Sequence, residues 1–292
     1  MSASVPSAAG ARRTRGQALA RQLRLLRQST EYELRKVLAF RMGFVVRELM
    51  RGVTRPLAMI YVYHAIYQWR GLGEGGLIRG WSYPEMVRYM ILVATFEKLI
   101  YHNRVLRVSE QIFEGYFTKF LVLPVRFFVL ALGSFVQYAG VQLGFASLLW
   151  VLGWLVAPGW WPEPASAVAL LQSVSLVLLG SYCFFLLYLT INGLAFYLEV
   201  VWSLLVMAFF ITSFLSGVHM PVDWMPGPVA DALRWTFPYW TLSGPIELFL
   251  GRLGGADYLQ GLGVLLGSAF LLDRLRAFVW LHGSRRYTGS GM

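Results

Sequence analysis

Residues 166–216, SAVALLQSVSLVLLGSYCFFLLYLTINGLAFYLEVVWSLLVMAFFITSFLS, decide the fold. They hold two apolar runs, about 166–190 and 197–216, with Glu199 as the lone charged residue. Each run approaches the roughly 20 residues that carry a helix across a bilayer core. Asn192-Gly193 between them reads as a short internal turn. Outward from this pair the pattern repeats. Apolar runs fall at about 44–68, 85–106, 125–156 and 257–281, which makes six predicted spans.

The composition agrees. Of 292 residues, 57% are hydrophobic and 14% are charged, against roughly 25% charged in soluble domains. A soluble protein this apolar would lack the polar surface to cover its core. The expected class is an all-α integral membrane protein. The net charge of +11 would suit a nucleic-acid binder if it were spread over one face, but its location argues against nucleic acid. Arg12, Arg13, Arg15, Arg21, Arg24, Arg27, Arg35, Lys36 and Arg41 crowd the N-terminus, and Arg274, Arg276, Arg285 and Arg286 close the C-terminus. An even number of spans puts both ends, with Arg104, Arg107, Lys119 and Arg126, on one side. The other side keeps Arg70, Arg79, Arg234 and Arg252. That asymmetry makes the first side cytoplasmic, with both termini inside.

Before the first span, residues 1–20 read as a disordered basic arm resting on anionic lipid headgroups. No apolar stretch followed by a small-residue cleavage site is present, so no cleavable signal peptide is expected. Residues 21–43 set Leu23, Leu26, Leu34, Val37 and Leu38 against Arg24, Arg27, Arg35 and Arg41. This is the pattern of an amphipathic helix on the inner membrane surface. The first span is imperfect. Arg47, Arg51 and Arg55 are four residues apart and share a face. They must snorkel, pair or face a polar cavity, unless the interfacial helix runs on and the true span starts near Pro56. Facing a cavity, they would be candidates for an anionic or lipid-linked substrate. Gln137, Gln142, Asn192 and Glu199 join them as substrate-path candidates, being polar groups within or beside spans. The plainer alternatives are helix-to-helix hydrogen bonds for the glutamines and contact with water for Glu199.

Residues 104–122 predict an amphipathic segment between spans two and three. Ile112, Phe113, Tyr116, Phe117 and Phe120 form one face, and Arg107, Glu110, Glu114 and Thr118 the other. Pro124 stops it. The glycines of 71–80 and the turn 158–164 read as external loops with interfacial aromatics. Gly140/Gly144 and Gly263/Gly267 form GxxxG pairs that permit close helix packing. Residues 217–245 are rich in Pro, Gly and Trp. They are expected to fold back into the outer leaflet as short re-entrant helices between spans five and six, with Trp224, Trp235 and Trp240 as interfacial anchors. A plain external loop is the alternative.

Catalytic and metal signatures are missing. None of Lys36, Lys98 and Lys119 follows a glycine, so no phosphate-cradling loop exists. His64, His102, His219 and His282 are scattered without metal-ligand spacing. Cys183 is the lone cysteine, so no disulfide framework is possible within the chain.

The order of these elements resembles the ABC-2 type permease family. The residues that carry the resemblance are Leu215-Ser216-Gly217-Val218-His219-Met220-Pro221-Val222-Asp223-Trp224-Met225-Pro226-Gly227, then Phe237-Pro238-Tyr239-Trp240 and Gly244-Pro245-Ile246-Glu247. Glu114-Gly115 before Leu123-Pro124 is similar to the segment after span two, and Arg285-Arg286-Tyr287-Thr288-Gly289 resembles the tail of one bacterial subfamily that pairs two permeases with a separate ATPase. The resemblance covers about 30–289, and the permease domain it implies runs over 44–292. It implies a non-enzymatic permease of a bacterial inner-membrane exporter. ATP and Mg would be held by the partner ATPase, with no cofactor in this chain. It implies that 104–122 is the ATPase-coupling segment, through Arg107, Glu110, Glu114, Gly115 and Lys119. It places the outer gate at Gly217, Pro221, Trp224 and Pro226. The implied partners are that cytoplasmic ATPase, a second copy or a homologous permease, and membrane lipids. Three rivals stand beside it: a gradient-driven carrier, which would need paired ionisable groups at the midplane, a membrane enzyme such as a lipid transferase, which would need clustered His, Asp or Glu at a membrane face, and a non-transporting membrane scaffold.

Overall fold

A computed structural model describes residues 41–72, 75–100, 108–122 and 127–287. The basic arm 1–20, most of the predicted interfacial helix 21–43, and Arg107 lie outside the described residues. The described residues are mostly helical. Helix α1 (Arg41–Trp69) carries Pro56 in its interior without a break. A two-residue hairpin, Leu77–Ile78 with Trp81–Ser82, turns at Arg79-Gly80 and leads into α2 (Tyr83–Ile100). Two short helices follow, α3 (Val108–Phe113) and α4 (Thr118–Val122), then the long α5 (Phe127–Val156) and α6 (Ala167–Gly193). After a single 3-10 turn come α7 (Trp202–Leu215), the short α8 (Gly227–Leu233), α9 (Phe237–Thr241) and α10 (Ser243–Phe249), and finally α11 (Gly255–Arg286).

Among the described residues, α5 and α6 are long and apolar enough to cross a membrane, and α7 is a shorter apolar helix. Contacts along the chain give the directions. In α1 and α2, Arg55 pairs with Glu97 near one end and His64 and Tyr67 meet Tyr83 near the other, so the two run antiparallel. Ser175 meets Tyr258, Cys183 meets Leu265, and Trp280 meets Leu189, so α6 and α11 run parallel. The Ser181 hydroxyl donates to the Leu99 carbonyl at 2.6 Å and fastens α2 to the same centre. Helices in lipid gain little from apolar burial against each other, so close approach depends on small residues. Helix α6 supplies them: Ser173, Gly180 and Ser181 are buried, and a Cβ at Gly180 would stand 2.8 Å from the Thr241 Cα.

Several expectations need correction. The chain does not turn at Asn192-Gly193. Asn192 donates to the Tyr188 carbonyl one turn back at 2.7 Å and stays helical. Gly193 lies where Trp280 packs, its Cβ position 2.7 Å from Nε1, so its smallness serves contact rather than a bend. The turn falls at 197–201 instead, where Glu199 is exposed. The fifth run therefore yields a helix of 14 residues, about 21 Å long. Among the described residues of this chain nothing lies within 4 Å of a Cβ at Gly140, Gly144, Gly263 or Gly267, so neither GxxxG pair packs against a described helix. Trp240 is a core residue, 2% exposed, wedged against Gly244 with its Nε1 donating to the Arg234 carbonyl at 2.6 Å. Trp235 does stand exposed.

Candidate functional site

Two places gather the residues that the sequence singled out, one at each end of α6.

The first begins where α7 stops. Gly217 adopts a positive φ of 81°. Its N–H bonds the Phe214 carbonyl and the next N–H, of Val218, reaches the Ser213 carbonyl, both at 3.3 Å. This is the Schellman arrangement, in which a left-handed residue closes a helix and satisfies its last carbonyls. The Ser-Gly of the motif is thus a helix stop. The stop is then riveted to its surroundings. The Tyr89 phenol donates to the Gly217 carbonyl at 2.8 Å, and Ser243 donates through both N–H and Oγ to the Ser216 carbonyl. A Cβ on Gly217 would lie 2.8 Å from the Tyr89 oxygen. Beyond it, Tyr63 donates to the His219 carbonyl, Trp224 packs edge-on against Tyr63, and Arg79 donates to the carbonyls of Trp224 and Met225. Pro221 and Pro226 set extended backbone before the 3-10 turn 222–224 and before α8. Burial first, and the Arg55 guanidinium second, hold the His219 imidazole below its ordinary pKa.

Helices α9 and α10 then fold back along α6 instead of forming an open loop. Phe237 packs on Phe184, well along α6, while the Phe249 carbonyl accepts from Ala165, just before it. Glu247 is 2% exposed in this hairpin. Tyr239 donates to one of its oxygens at 2.9 Å, and the other has no hydrogen-bond partner among the described residues. Sequence reasoning quoted Glu247 only as part of a motif and missed its burial.

The second place is the segment after α2. Gly115, at φ 79°, splits it into α3 and α4, and the Phe117 N–H returns to the Gln111 carbonyl at 2.9 Å. This break undoes the predicted single apolar face. Ile112 and Phe117 are buried, but Phe113 and Tyr116 point outward, 43% and 62% exposed, beside exposed Glu110, Glu114 and Lys119. Phe117 meets the rings of Phe120, Phe127, Phe196, Trp280 and Tyr287, all with centroids 5.2–5.8 Å away. Trp280 stacks on Phe127 at 4.8 Å. One side chain is therefore gripped by the start of α5, the 3-10 turn after α6 and the end of α11. Asn192 adds a polar latch: its Oδ1 accepts the Ser109 N–H at 2.9 Å. Both ends of that carboxamide serve backbone groups.

Of the remaining candidates, Arg55 lies near the first place, where its charge acts on His219. Gln137 and Gln142 are buried on α5. Arg55 forms an ion pair with Glu97 on α2. Arg47 and Arg51 fall on α1 with side chains outside the described set. No group of three His, Cys, Asp or Glu able to hold a metal occurs among the described residues.

Two helices long and apolar enough to cross a membrane, in a mostly helical chain, are consistent with a helical membrane protein. Within that class the chain belongs to the ABC-2 transporter family: the family model described as ABC-2 family transporter protein matches residues 56–291. A search of curated proteins finds no significant match. Membership makes the chain a permease component that works with an ATP-binding subunit.

Proposed function

We propose that the chain is the transmembrane subunit of an ATP-driven exporter in a bacterial inner membrane. Six spans, α1, α2, α5, α6, α7 and α11, would cross with both termini inside. The parallel run of α6 with α11, and the antiparallel run of α1 with α2, have the parity that this topology requires. A second copy or a homologous permease would complete the pathway. A separate cytoplasmic ATPase would hold ATP and Mg. Outward transport rests on the family's general habit.

The main support for coupling is the seat of Phe117. A force applied to α3 and α4 reaches α5, the 3-10 turn after α6 and α11 at once through the aromatic cluster. Glu110, Phe113, Glu114, Tyr116 and Lys119 face outward, a mixed charged and aromatic surface suited to a protein partner. Approach of two ATPase subunits would tilt this element and bias the bundle between inward- and outward-open states. Gly217, Pro221, Trp224 and Pro226, fixed to α1 and α2, would close the outer end. Arg55, Gln137, Gln142, Asn192 and Glu199 belong to this reading as positions to probe along the path, with Asn192 also holding the coupling element.

The test is purification of the tagged chain from its native membrane in mild detergent, with ATP hydrolysis measured on the eluate. An ATPase should co-purify, and the Glu110→Lys/Glu114→Lys variant should release it. A chain that emerges alone, without nucleotide hydrolysis, would transfer the case to a gradient-driven carrier or a scaffold.

A further inference from the structure

The turn after α6 and the last two turns of α11 enclose a cleft of about 500 Å³. Its walls are unlike each other. Leu194 and Phe278 are apolar, Tyr197 is aromatic with a polar tip, and His282, Arg285 and Arg286 are basic. No acidic residue lines it, and neither arginine makes an ion pair among the described residues. The basic groups are partly positioned already. Arg286 lies over the Tyr197 ring at 5.6 Å. The His282 ring rests 4.3 Å from that of Phe278, and its Nδ1 lies 2.9 Å from the Phe278 carbonyl, which leaves Nε2 for a ligand. Exposed Leu275, Phe278 and Leu281 continue the apolar wall along α11.

We infer that this cleft binds the headgroup of an anionic phospholipid of the inner leaflet. A basic rim over an apolar wall matches a phosphodiester above acyl chains. Arginine presents donors in a planar fork that suits phosphate oxygens. A basic pocket between helix ends on the cytoplasmic side is a recurrent place for acidic headgroups. The inference rests on the proposed topology, which puts the end of α11 on the cytoplasmic side of a membrane, but does not depend on the ATPase partner. It also gives the lipid a position of influence, because Phe196 and Tyr287, next to the cleft in sequence, belong to the cluster around Phe117.

Native mass spectrometry of the purified full chain, titrated with phosphatidylglycerol and with phosphatidylcholine, tests it. The wild type should retain phosphatidylglycerol selectively. Arg285→Gln and Arg286→Gln should each weaken retention roughly five-fold. Arg274→Gln removes an equal charge from the same helix outside the cleft and should leave retention unchanged. Equal loss in Arg274→Gln would reduce the effect to general charge and overturn the site. Release by millimolar inorganic phosphate would overturn the lipid as occupant. Full retention in the double variant, with loss of a co-purifying ATPase, would make the cleft a protein-docking surface instead. Because lipid retention and ATPase co-purification are read separately, the site and the permease proposal can fail independently.

Discussion

Replacing Phe117 by alanine should unseat the coupling element while leaving the bundle assembled. Phe117 is 2% exposed and touches five aromatic rings. Removing a buried phenyl group costs about 3–5 kcal/mol in a protein core, and each lost ring pair adds to the contact term. Much of this loss falls on the docking of α3 and α4, because the other members keep one another: Trp280 remains stacked on Phe127 and against Phe196. Taking about 3 kcal/mol as the local share, the docked fraction relative to undocked falls by roughly 10²-fold. Hydrogen exchange reads this directly. The amides of Glu114 and Phe117, bonded to the carbonyls of Glu110 and Gln111, should lose about two orders of magnitude of protection, while those of α6 should not change. Phe117→Leu, which keeps most of the volume, should show a far smaller loss. Unchanged protection at 108–122 in Phe117→Ala would refute the claim that this ring holds the element. A parallel loss throughout α6 would refute its locality.

Other outcomes follow from the same contacts. Asn192→Leu leaves the Ser109 N–H without its acceptor, which costs about 1–3 kcal/mol; exchange should rise at 108–113 with little change in the melting temperature. Gly217→Ala forces a side chain into a left-handed backbone, a cost of about 1–2 kcal/mol, and pushes on the Tyr89 phenol, so the detergent-solubilised protein should melt several degrees lower. Tyr89→Phe, which strips the donor from the Gly217 carbonyl, should lower it by a comparable amount, and an unaltered melting curve in both would remove the rivet from consideration. Breaking the Arg55–Glu97 pair should cost less than the 3–5 kcal/mol of a fully buried pair, about 1–2 kcal/mol, because the side chains are 41% and 17% exposed. The exchanged double variant Arg55→Glu/Glu97→Arg should recover part of the melting temperature lost in Arg55→Gln.

Helix positions were legible because long apolar runs have few alternatives, and α5 and α6 start and stop within a few residues of where the runs do. Side-chain partners were not. Asn-Gly is a turn signal by composition, yet here Asn192 bonds its own helix and Gly193 admits an indole, and neither fact is visible without knowing what packs alongside. The aromatic face of 104–122 assumed one continuous helix. Gly115, two residues past the end of α3, breaks that helix, so Phe113 and Tyr116 face outward while Phe117 stays in. The Ser-Gly motif was legible as a family mark, and its physical meaning, a helix stop held by Tyr89, needed the fold. The tyrosines were the missed signal: a phenol inside an apolar run must find an acceptor, and Tyr63, Tyr67 and Tyr89 find the backbone carbonyls of His219, Trp81 and Gly217.

The two longest apolar helices lead unequal lives. In the most apolar stretch of α6, 61% of residues are buried; in that of α5, 11% are. They would look alike to any scale of hydropathy, but not to mutation. Along α5 one aliphatic residue should replace another freely at Val136, Leu143, Leu148, Val151 and Leu155, which touch little of their own chain. Along α6 even Gly180→Ala should fail, since a methyl group there meets the Thr241 backbone. A scan of every position should therefore divide this uniformly greasy chain into a tolerant sleeve and an intolerant spindle, and the spindle is where inherited damage would concentrate.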